Sequence, residues 1–133
     1  MPKRNEELYQ AGLKVRREVL GDQYVMPQIN AAETDPVAKT LQDMVTEYCW
    51  GFGWTDGKLD RKTRSLMTLC ILTALDKPQE IKAHTRGALN NGLTREEIAE
   101  ALRHATIYCG IPAGVNAFRN FREALAEIDA KKK

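Results

Sequence analysis

The sequence predicts an all-α protein of about six helices in one domain that spans residues 1–133. Three observations favour this class. Apolar residues recur at intervals of three and four, no segment alternates cleanly between apolar and polar residues, and helix-capping or helix-breaking residues separate the periodic segments. No linker divides the chain, and we expect about four residues at each end to be frayed.

The first predicted helix covers about residues 5–20, and Gly21 is placed to end it. Its apolar stripe has the spacing of one helix face and consists of Leu8, Ala11, Gly12, Val15 and Val19. Residues 22–34 are predicted to be a connection, because Pro27 lies within them and helix interiors disfavour proline.

A second helix is predicted to open at Asp35 and Pro36, since aspartate caps helices and proline suits the first helical position. Its apolar stripe consists of Val37, Leu41, Met44, Val45 and Tyr48. Residues 49–59 follow as a predicted loop, with three glycines for freedom and three aromatic side chains to bury.

The third predicted helix begins after the cap residue Asp60 and ends at about Leu75. From Leu66 onward it is apolar on nearly every side, and such a helix must be buried on all sides. A chain of 133 residues offers limited cover. We therefore expect a subunit interface to supply part of it.

Three helices are predicted in the rest of the chain. The fourth starts at Pro78, with Asp76 as its cap, and ends at "NNG", where Gly92 suits a left-handed conformation. The fifth opens with a T-x-x-E capping box, and the motif "CGIP" separates it from a last helix that reaches about Asp129.

Composition argues against several classes of protein. Hydrophobic residues make up 43% and charged residues 29%, which is typical of a soluble globular chain and not of a disordered one. The net charge of +2 is spread over interspersed charges, so we expect no nucleic-acid partner. The longest apolar-rich run, "LMTLCILTAL", is far shorter than the about 20 residues of a membrane span.

The three cysteines cannot all pair within one chain, and the charged start "MPKRNEELYQ" lacks the apolar core of a signal peptide. We therefore expect reduced thiols and a cytoplasmic location. The cysteines and histidines show no metal-ligand spacing, and no phosphate-binding glycine loop or nucleophile elbow occurs, so no metal site is expected.

His84 is the most informative polar residue. It shares one face of the fourth predicted helix with apolar or small neighbours, namely Ile81, Thr85 and Ala88. Burial disfavours a charged imidazole, and Glu80 lies one turn earlier, within reach. The residues alone leave a structural and a functional histidine both open. His104 lies on the polar face of the next helix and is predicted to be a surface residue.

Two arginines are candidates for binding a carboxylate, although each could equally be a solvated or ion-paired residue. Arg64 lies on the first turn of the third helix, and Arg86 lies two residues beyond His84. That spacing is about 200° around a helix, so Arg86 and His84 cannot both point into one pocket. Tyr108 and Cys109 lie at the "CGIP" break, where a small buried thiol is the alternative to a pocket wall.

Five segments occur in an order that resembles the carboxymuconolactone decarboxylase family, in its 4-carboxymuconolactone branch of protocatechuate catabolism. They are "AGLKVRREVLGDQYV" (11–25), "WGFGWT" (50–55), "DRKTRSLMTLCILTAL" (60–75), "EIKAHTRGALNNGLTREEIAEAL" (80–102) and "IYCGIPAGVNAF" (107–118). The resemblance implies an alkylhydroperoxidase-like helical fold, a homo-oligomer that is commonly a hexamer built as a trimer of dimers, and no metal or organic cofactor.

The resemblance also implies a reaction, the loss of CO2 from 4-carboxymuconolactone to give the β-ketoadipate enol-lactone. It implies His84 as proton donor or oxyanion partner, Glu80 as a residue that tunes or relays to it, and Arg64 as the leading carboxylate anchor. Arg86 is a weaker anchor. The remaining residues expected to line the pocket are Trp50, Phe52, Trp54, Tyr108 and Cys109.

Three alternatives stay open. One is a related lactone or keto acid as substrate, and another is a non-catalytic helical oligomer that binds a small acid. The third is a thiol-dependent peroxidase or disulfide reductase of the wider superfamily. Members of that class carry C-x-x-C just before the histidine, whereas the matching positions here are Lys77 and Glu80, so the resolving thiol that exchange requires is missing.

Overall fold

A computed structural model describes residues 3–133, which form two compact units. Unit 1 extends to Leu59 and contains three α-helices and a π-helical segment: α1 (Glu6–Leu20), α2 (Asp22–Ala32), α3 (Pro36–Met44) and the π segment (Val45–Gly53). Unit 2 begins at Asp60 and contains four α-helices: α4 (Arg61–Leu75), α5 (Pro78–Asn90), α6 (Arg95–Cys109) and α7 (Ile111–Lys131). The all-α class is confirmed, with seven α-helices among the described residues instead of about six.

Most of the predicted helix ends are confirmed. Asp35 and Asp60 accept hydrogen bonds from backbone amides at the starts of α3 and α4, and Thr94 forms the capping box of α6 with Glu97. Gly92 has a φ of 94° just after α5. These ends depend on side chains and backbone conformations within a few residues, so the local sequence is enough to place them.

The predicted connection over residues 22–34 is wrong, because this segment forms helix α2 with Pro27 inside it. A proline in the second turn removes one intrahelical hydrogen bond, the one to the carbonyl of Gln23. Val25 and Ala32 bury their side chains almost completely on the same helix. The burial of this face offsets the cost of the proline.

The predicted loop over residues 49–59 is also wrong in its first half, since the helix begun by α3 continues as the π segment to Gly53. Gly12 of α1 and Gly51 allow the two backbones to touch. A methyl group on Gly12 would overlap the carbonyl oxygen of Thr46, and one on Gly51 would overlap Leu8. The stacked rings of Trp50 and Trp54 lie 4.8 Å apart in the core of unit 1, with Val15, Val19, Leu20 and Val25.

Unit 2 has an aliphatic core formed by Leu69, Ile81, Ala88, Leu93, Ile98, Leu102, Ala117 and Phe121. Asp76 was expected to cap α5, and this is wrong: it ends α4 in a left-handed conformation, with a φ of 53° and a ψ of 65°. Lys77 takes the cap position of α5 without a side-chain hydrogen bond. Aspartate tolerates this left-handed geometry, which closes the short turn between the two helices.

Both units leave apolar side chains exposed. In unit 1 most of the stripe predicted for the second helix faces outward, together with Phe52, so that Val37 is 81% and Tyr48 is 68% exposed. Val45 is the exception, since it packs against the core of unit 1. The exposed set in unit 2 comprises Met67, Ile71, Leu75, Ile107, Tyr108, Ile111 and Val115. Patches of this kind usually mark binding surfaces.

Within the described range, no helix has the length and apolar character needed to cross a membrane. Residues 1 and 2, at the end where we expected fraying, lie outside the described residues. Arg4 donates a hydrogen bond of 2.8 Å to Asp43, and α7 continues to Lys131. The single domain and the frayed ends stay predictions.

Candidate active site

His84 lies on α5 at the edge of the unit 2 core. Ile81, Thr85 and Ala88, on the same face, are fully buried, whereas His84 itself is partly exposed. The Thr85 hydroxyl donates to the Ile81 carbonyl and is thereby satisfied within the helix. His84 therefore lies on a packed helix with its Nδ1 buried, while part of the residue is exposed to solvent.

Burial lowers the pKa of His84 to about 4, and the charge of Glu80 raises it by a smaller amount. The carboxylate one turn earlier thus acts on the imidazole, as its position in the sequence suggested. At neutral pH the imidazole is uncharged. It then has one N–H donor and one acceptor nitrogen, which are the groups needed to hydrogen-bond an oxyanion or pass on a proton.

Arg64 lies on the first turn of α4 and is half-buried. The Asn91 side chain at the end of α5 donates to the Ser65 hydroxyl over 2.9 Å, so the start of α4 lies beside the end of α5. His84 lies seven residues before Asn91, which is about 10 Å along the helix axis. Arg64 and His84 are therefore attached to the α4–α5 pair at points that lie about two helical turns apart along the helix axes.

Arg86 takes part in an ion-pair network between α5 and α7. Its guanidinium donates to the Glu127 carboxylate over 3.1 Å. Lys82 is 2.7 Å from Glu123 and 3.6 Å from Glu127 in the same network. The structure thus gives Arg86 an acidic partner on the neighbouring helix, which is the ion-paired alternative left open by the sequence.

Tyr108 and Cys109 lie at the exposed end of α6. Tyr108 is 80% exposed, and its ring is 5.1 Å from that of His104, which is exposed as predicted. Burial raises the pKa of the Cys70 thiol, and the nearby Cys109 raises it further. No group of three or more potential metal ligands occurs among residues 3–133.

Trp50 and Trp54 belong to unit 1, where both are buried to at least nine-tenths. They pack on each other and on the aliphatic core described above, whereas Phe52 between them is exposed and stacks on Tyr48 at 5.6 Å. The expected substrate contact of these aromatic residues stays a prediction.

The sequence reasoning missed Arg16. This residue is only 3% exposed, and its guanidinium lies among the side chains of Gln28, Gln42 and Thr46 in unit 1. A signal for it was present in the sequence. Arg16 follows Gly12 by four residues and precedes Val19 by three, so it falls on the buried stripe of its helix.

The chain resembles known proteins along most of its length. The model of the family described as "Carboxymuconolactone decarboxylase family" matches residues 39–123. A nitrosuccinic acid decarboxylase of Metarhizium robertsii is 42% identical over 113 residues, which are 85% of this chain and 78% of that protein. A 4-carboxymuconolactone decarboxylase of Acinetobacter baylyi is 33% identical over 124 residues, which are 93% of this chain and 91% of that protein.

Both named relatives are decarboxylases, so the expected class of enzyme, a carboxy-lyase, is confirmed. The family model spans α4 and α5 completely and therefore includes His84, Glu80, Arg64 and Arg86. From the ordered motifs, the all-α fold and these matches, the chain belongs to the carboxymuconolactone decarboxylase family.

Proposed function

We propose that this chain catalyses the cofactor-independent decarboxylation of 4-carboxymuconolactone to the β-ketoadipate enol-lactone. The observation that carries the proposal is His84, an uncharged and partly exposed imidazole fixed on a packed helix, one turn after a carboxylate. The relative that bears the name of this activity matches 93% of the chain, which supports the choice of substrate.

The substrate carries its own electron sink. When CO2 leaves the ring carbon next to the ring oxygen, the electron pair passes through the ring double bond to the lactone carbonyl. Protonation of a ring carbon then gives the product. The protein has to hold carboxylates, stabilise negative charge on the carbonyl oxygen and deliver a proton to carbon.

His84 serves the second or the third of these tasks. A neutral imidazole can donate its N–H to the carbonyl oxygen as negative charge grows there. Glu80 tunes the imidazole, since its charge raises the pKa of His84 against the effect of burial. When an anionic substrate binds close by, its charge raises this pKa further, and a protonated imidazole then becomes available as the acid.

Arg64 is the leading carboxylate anchor in this proposal, and Arg86 is the weaker one because Glu127 already binds its guanidinium. Arg64 and His84 are attached about 10 Å apart along the helix axes. This spacing suits a substrate that binds Arg64 through one carboxylate and reacts beside His84 at its other end. In the same proposal, Tyr108 and Cys109 line the pocket. The expected contact of Trp50 and Trp54 with the leaving carboxylate stays a prediction, since both rings are buried in the core of unit 1.

Homo-oligomerisation is part of the proposal, with a hexamer built as a trimer of dimers. The exposed apolar face of α3 and the π segment supports it, as do Ile71 and Leu75 on the over-apolar helix α4. A second copy of the chain would remove these side chains from water, at about 25 cal/mol per Å² of apolar surface. Sedimentation of the purified chain checks this part, and a monomer at assay concentrations would contradict it.

A second candidate substrate is nitrosuccinic acid, because the relative named for that activity is the more similar in sequence, at 42% identity. The two reactions share their chemistry. Both substrates bear more than one carboxyl group, and in each the electron pair left by CO2 enters a group of the substrate itself, the lactone carbonyl or the nitro group. The same imidazole and the same anchor can therefore serve either substrate.

The deciding experiment compares the two substrates on purified protein. 4-Carboxymuconolactone is generated in situ from carboxymuconate by a cycloisomerase, and CO2 release is followed against the spontaneous rate. Wild type, His84→Ala and the surface control His104→Ala are run side by side with each substrate. We expect fast turnover of the lactone that is lost only in His84→Ala. Turnover of nitrosuccinate alone would establish the second candidate, and turnover of neither would overturn the proposal.

A further inference from the structure

Arg16 is a buried cation without an anionic partner. It is 3% exposed, and its three hydrogen-bond partners are the neutral groups of Gln28, Gln42 and Thr46. Among the described residues, no carboxylate forms an ion pair with it. Asp43, which follows Gln42 on α3, is bound instead by Arg4 at 2.8 Å and by Lys39 at 2.7 Å.

The nitrogen atoms of the Arg16 guanidinium differ in how many of their N–H groups donate hydrogen bonds. Nη1 donates to Gln42 Oε1 over 2.8 Å and to Thr46 Oγ1 over 3.0 Å, so both of its hydrogens are used. Nη2 makes one long hydrogen bond of 3.4 Å to Gln28 Oε1. Nε, which is buried, has no partner among residues 3–133. The edge formed by Nε and Nη2 is thus the less satisfied one, and an edge of this geometry can hold both oxygens of a carboxylate.

Leaving this charge buried and uncompensated is costly. Burial lowers the pKa of Arg16, and the nearby Tyr24, Cys49 and Tyr9 raise it by smaller amounts. An arginine nevertheless stays protonated in proteins, so it cannot escape the cost by losing its proton. An unpaired buried charge of this kind destabilises the folded chain until an anion binds to it.

We propose that the Nε/Nη2 edge of Arg16 is a binding site in unit 1 for the carboxylate of a small organic acid. The carboxylate takes the place of the Gln28 carboxamide, which is the weakest of the three present contacts. Gln28 lies on α2, where its amide N–H donates to the Tyr24 carbonyl and its Oε1 also accepts from Gln42 Nε2 over 3.4 Å, so both groups keep a partner when Gln28 releases Arg16. Gln42 and Thr46 hold the guanidinium in place from the opposite end.

This inference is independent of the proposed reaction, because a carboxylate can bind to Arg16 whether or not His84 takes part in catalysis. The first test is therefore a binding measurement on the full chain. Succinate is titrated into 15N-labelled protein while the arginine Nε–H resonances are followed, with the neutral isostere succinamide as the control ligand. Arg16→Lys identifies the Arg16 signal by its loss.

We expect succinate, and not succinamide, to move the Arg16 Nε–H resonance downfield, as a hydrogen bond to a carboxylate does. The neighbouring Arg17 is a built-in reference, since it is exposed and already bound to Asp22 at 2.8 Å. Its resonance should stay in place. If saturating succinate leaves the Arg16 resonance unmoved, the proposal is wrong and the arginine has a structural role only.

Affinity supplies a second readout, by calorimetry on folded variants. Arg16→Lys keeps the positive charge but loses the two-pronged edge, and we expect it to weaken succinate binding about tenfold. Gln28→Ala removes the competing amide and should leave binding equal or tighter. Arg17→Lys is the matched control and should bind as wild type does. The same titration on His84→Ala separates the two proposals, because succinate binding should persist there even when turnover is lost. Equal affinities in wild type and Arg16→Lys would contradict the inference.

Discussion

Each unit contains one basic side chain that is buried or partly buried, Arg16 in unit 1 and His84 in unit 2. The two side chains differ in whether they keep their positive charge. The imidazole gives up its proton, since burial lowers its pKa to about 4. The guanidinium keeps its charge and is surrounded by three neutral oxygen acceptors. Burial therefore makes the histidine a neutral hydrogen-bond donor and acceptor, whereas the arginine keeps a positive charge that no anion among the described residues compensates.

The difference follows from the ordinary pKa values of the two groups. A histidine titrates near neutral pH, so a moderate desolvation cost is enough to discharge it. An arginine titrates far above that range, so it stays charged when it is buried. The desolvation free energy of that charge then remains unfavourable until an anion binds. The contrast therefore separates the two proposals: His84 would take part in proton or oxyanion chemistry, and Arg16 would bind a carboxylate.

The largest expected effect is the loss of turnover in His84→Ala, by about 100-fold to 10,000-fold, since a positioned acid or oxyanion partner contributes that much. The comparison predicts that succinate binding changes little in this variant. Decarboxylation kinetics and calorimetry on the same preparation check both parts. Near-normal turnover by a folded His84→Ala protein would show that His84 has no catalytic role. His104→Ala is the control for the loss of an exposed imidazole.

A second prediction concerns the aromatic pair of unit 1. Trp50→Ala should lower the free energy of unfolding by about 4 kcal/mol, because a large buried ring is replaced by a cavity. Phe52→Ala, two residues away, removes a ring that is 68% exposed and should cost less than about 1 kcal/mol. Urea unfolding of both variants gives the comparison. A stable Trp50→Ala protein with impaired turnover would instead support the predicted substrate contact.

The pH dependence of stability tests the discharged state of His84. Its pKa is 6.5 in the unfolded chain and about 4 in the folded one, so between these values the unfolded chain holds the extra proton. The contribution of the neutral imidazole is therefore present above about pH 6.5 and is lost as the pH falls toward 4. Relative to His84→Gln, wild type should lose about 3 kcal/mol over this window.

Denaturant titrations at a series of pH values measure this difference. His104→Gln, which replaces an exposed imidazole, is the matched control variant. Parallel curves for wild type and His84→Gln would mean that the imidazole is not discharged by folding.

The parts of the fold that could be predicted from the sequence are those with a local cause. The caps at Asp35 and Asp60 and the box at Thr94 each depend on a side chain bonded to amides within three residues. The helix face on which His84 lies could be predicted in the same way, from its spacing to Ile81 and Ala88. Local spacing also placed Glu80 close enough to act on the imidazole.

The parts that could not be predicted depend on contacts between distant segments. Helix α2 forms despite Pro27 because Val25 is buried against residues of other helices. The π segment extends into the first half of the expected loop because Gly12, far back in the sequence, lets two backbones touch. The outward face of α3 has the same spacing as a core face, and spacing alone cannot tell which side is covered. Arg16 was missed because the stripe predicted for its helix contained apolar and small residues only.

The smallest expected effect concerns the second arginine of unit 2. Glu127→Gln breaks the partly exposed ion pair with Arg86 and should change the free energy of unfolding by only about 0.5 kcal/mol. If Arg86 has this structural role alone, KM should stay within about twofold of wild type, whereas Arg64→Lys should raise KM at least about tenfold through the loss of a two-pronged contact. Steady-state kinetics of the two variants give the answer. A fall in KM on Glu127→Gln would show that the released Arg86 binds substrate, and the assignment of the anchor would then pass from Arg64 to Arg86.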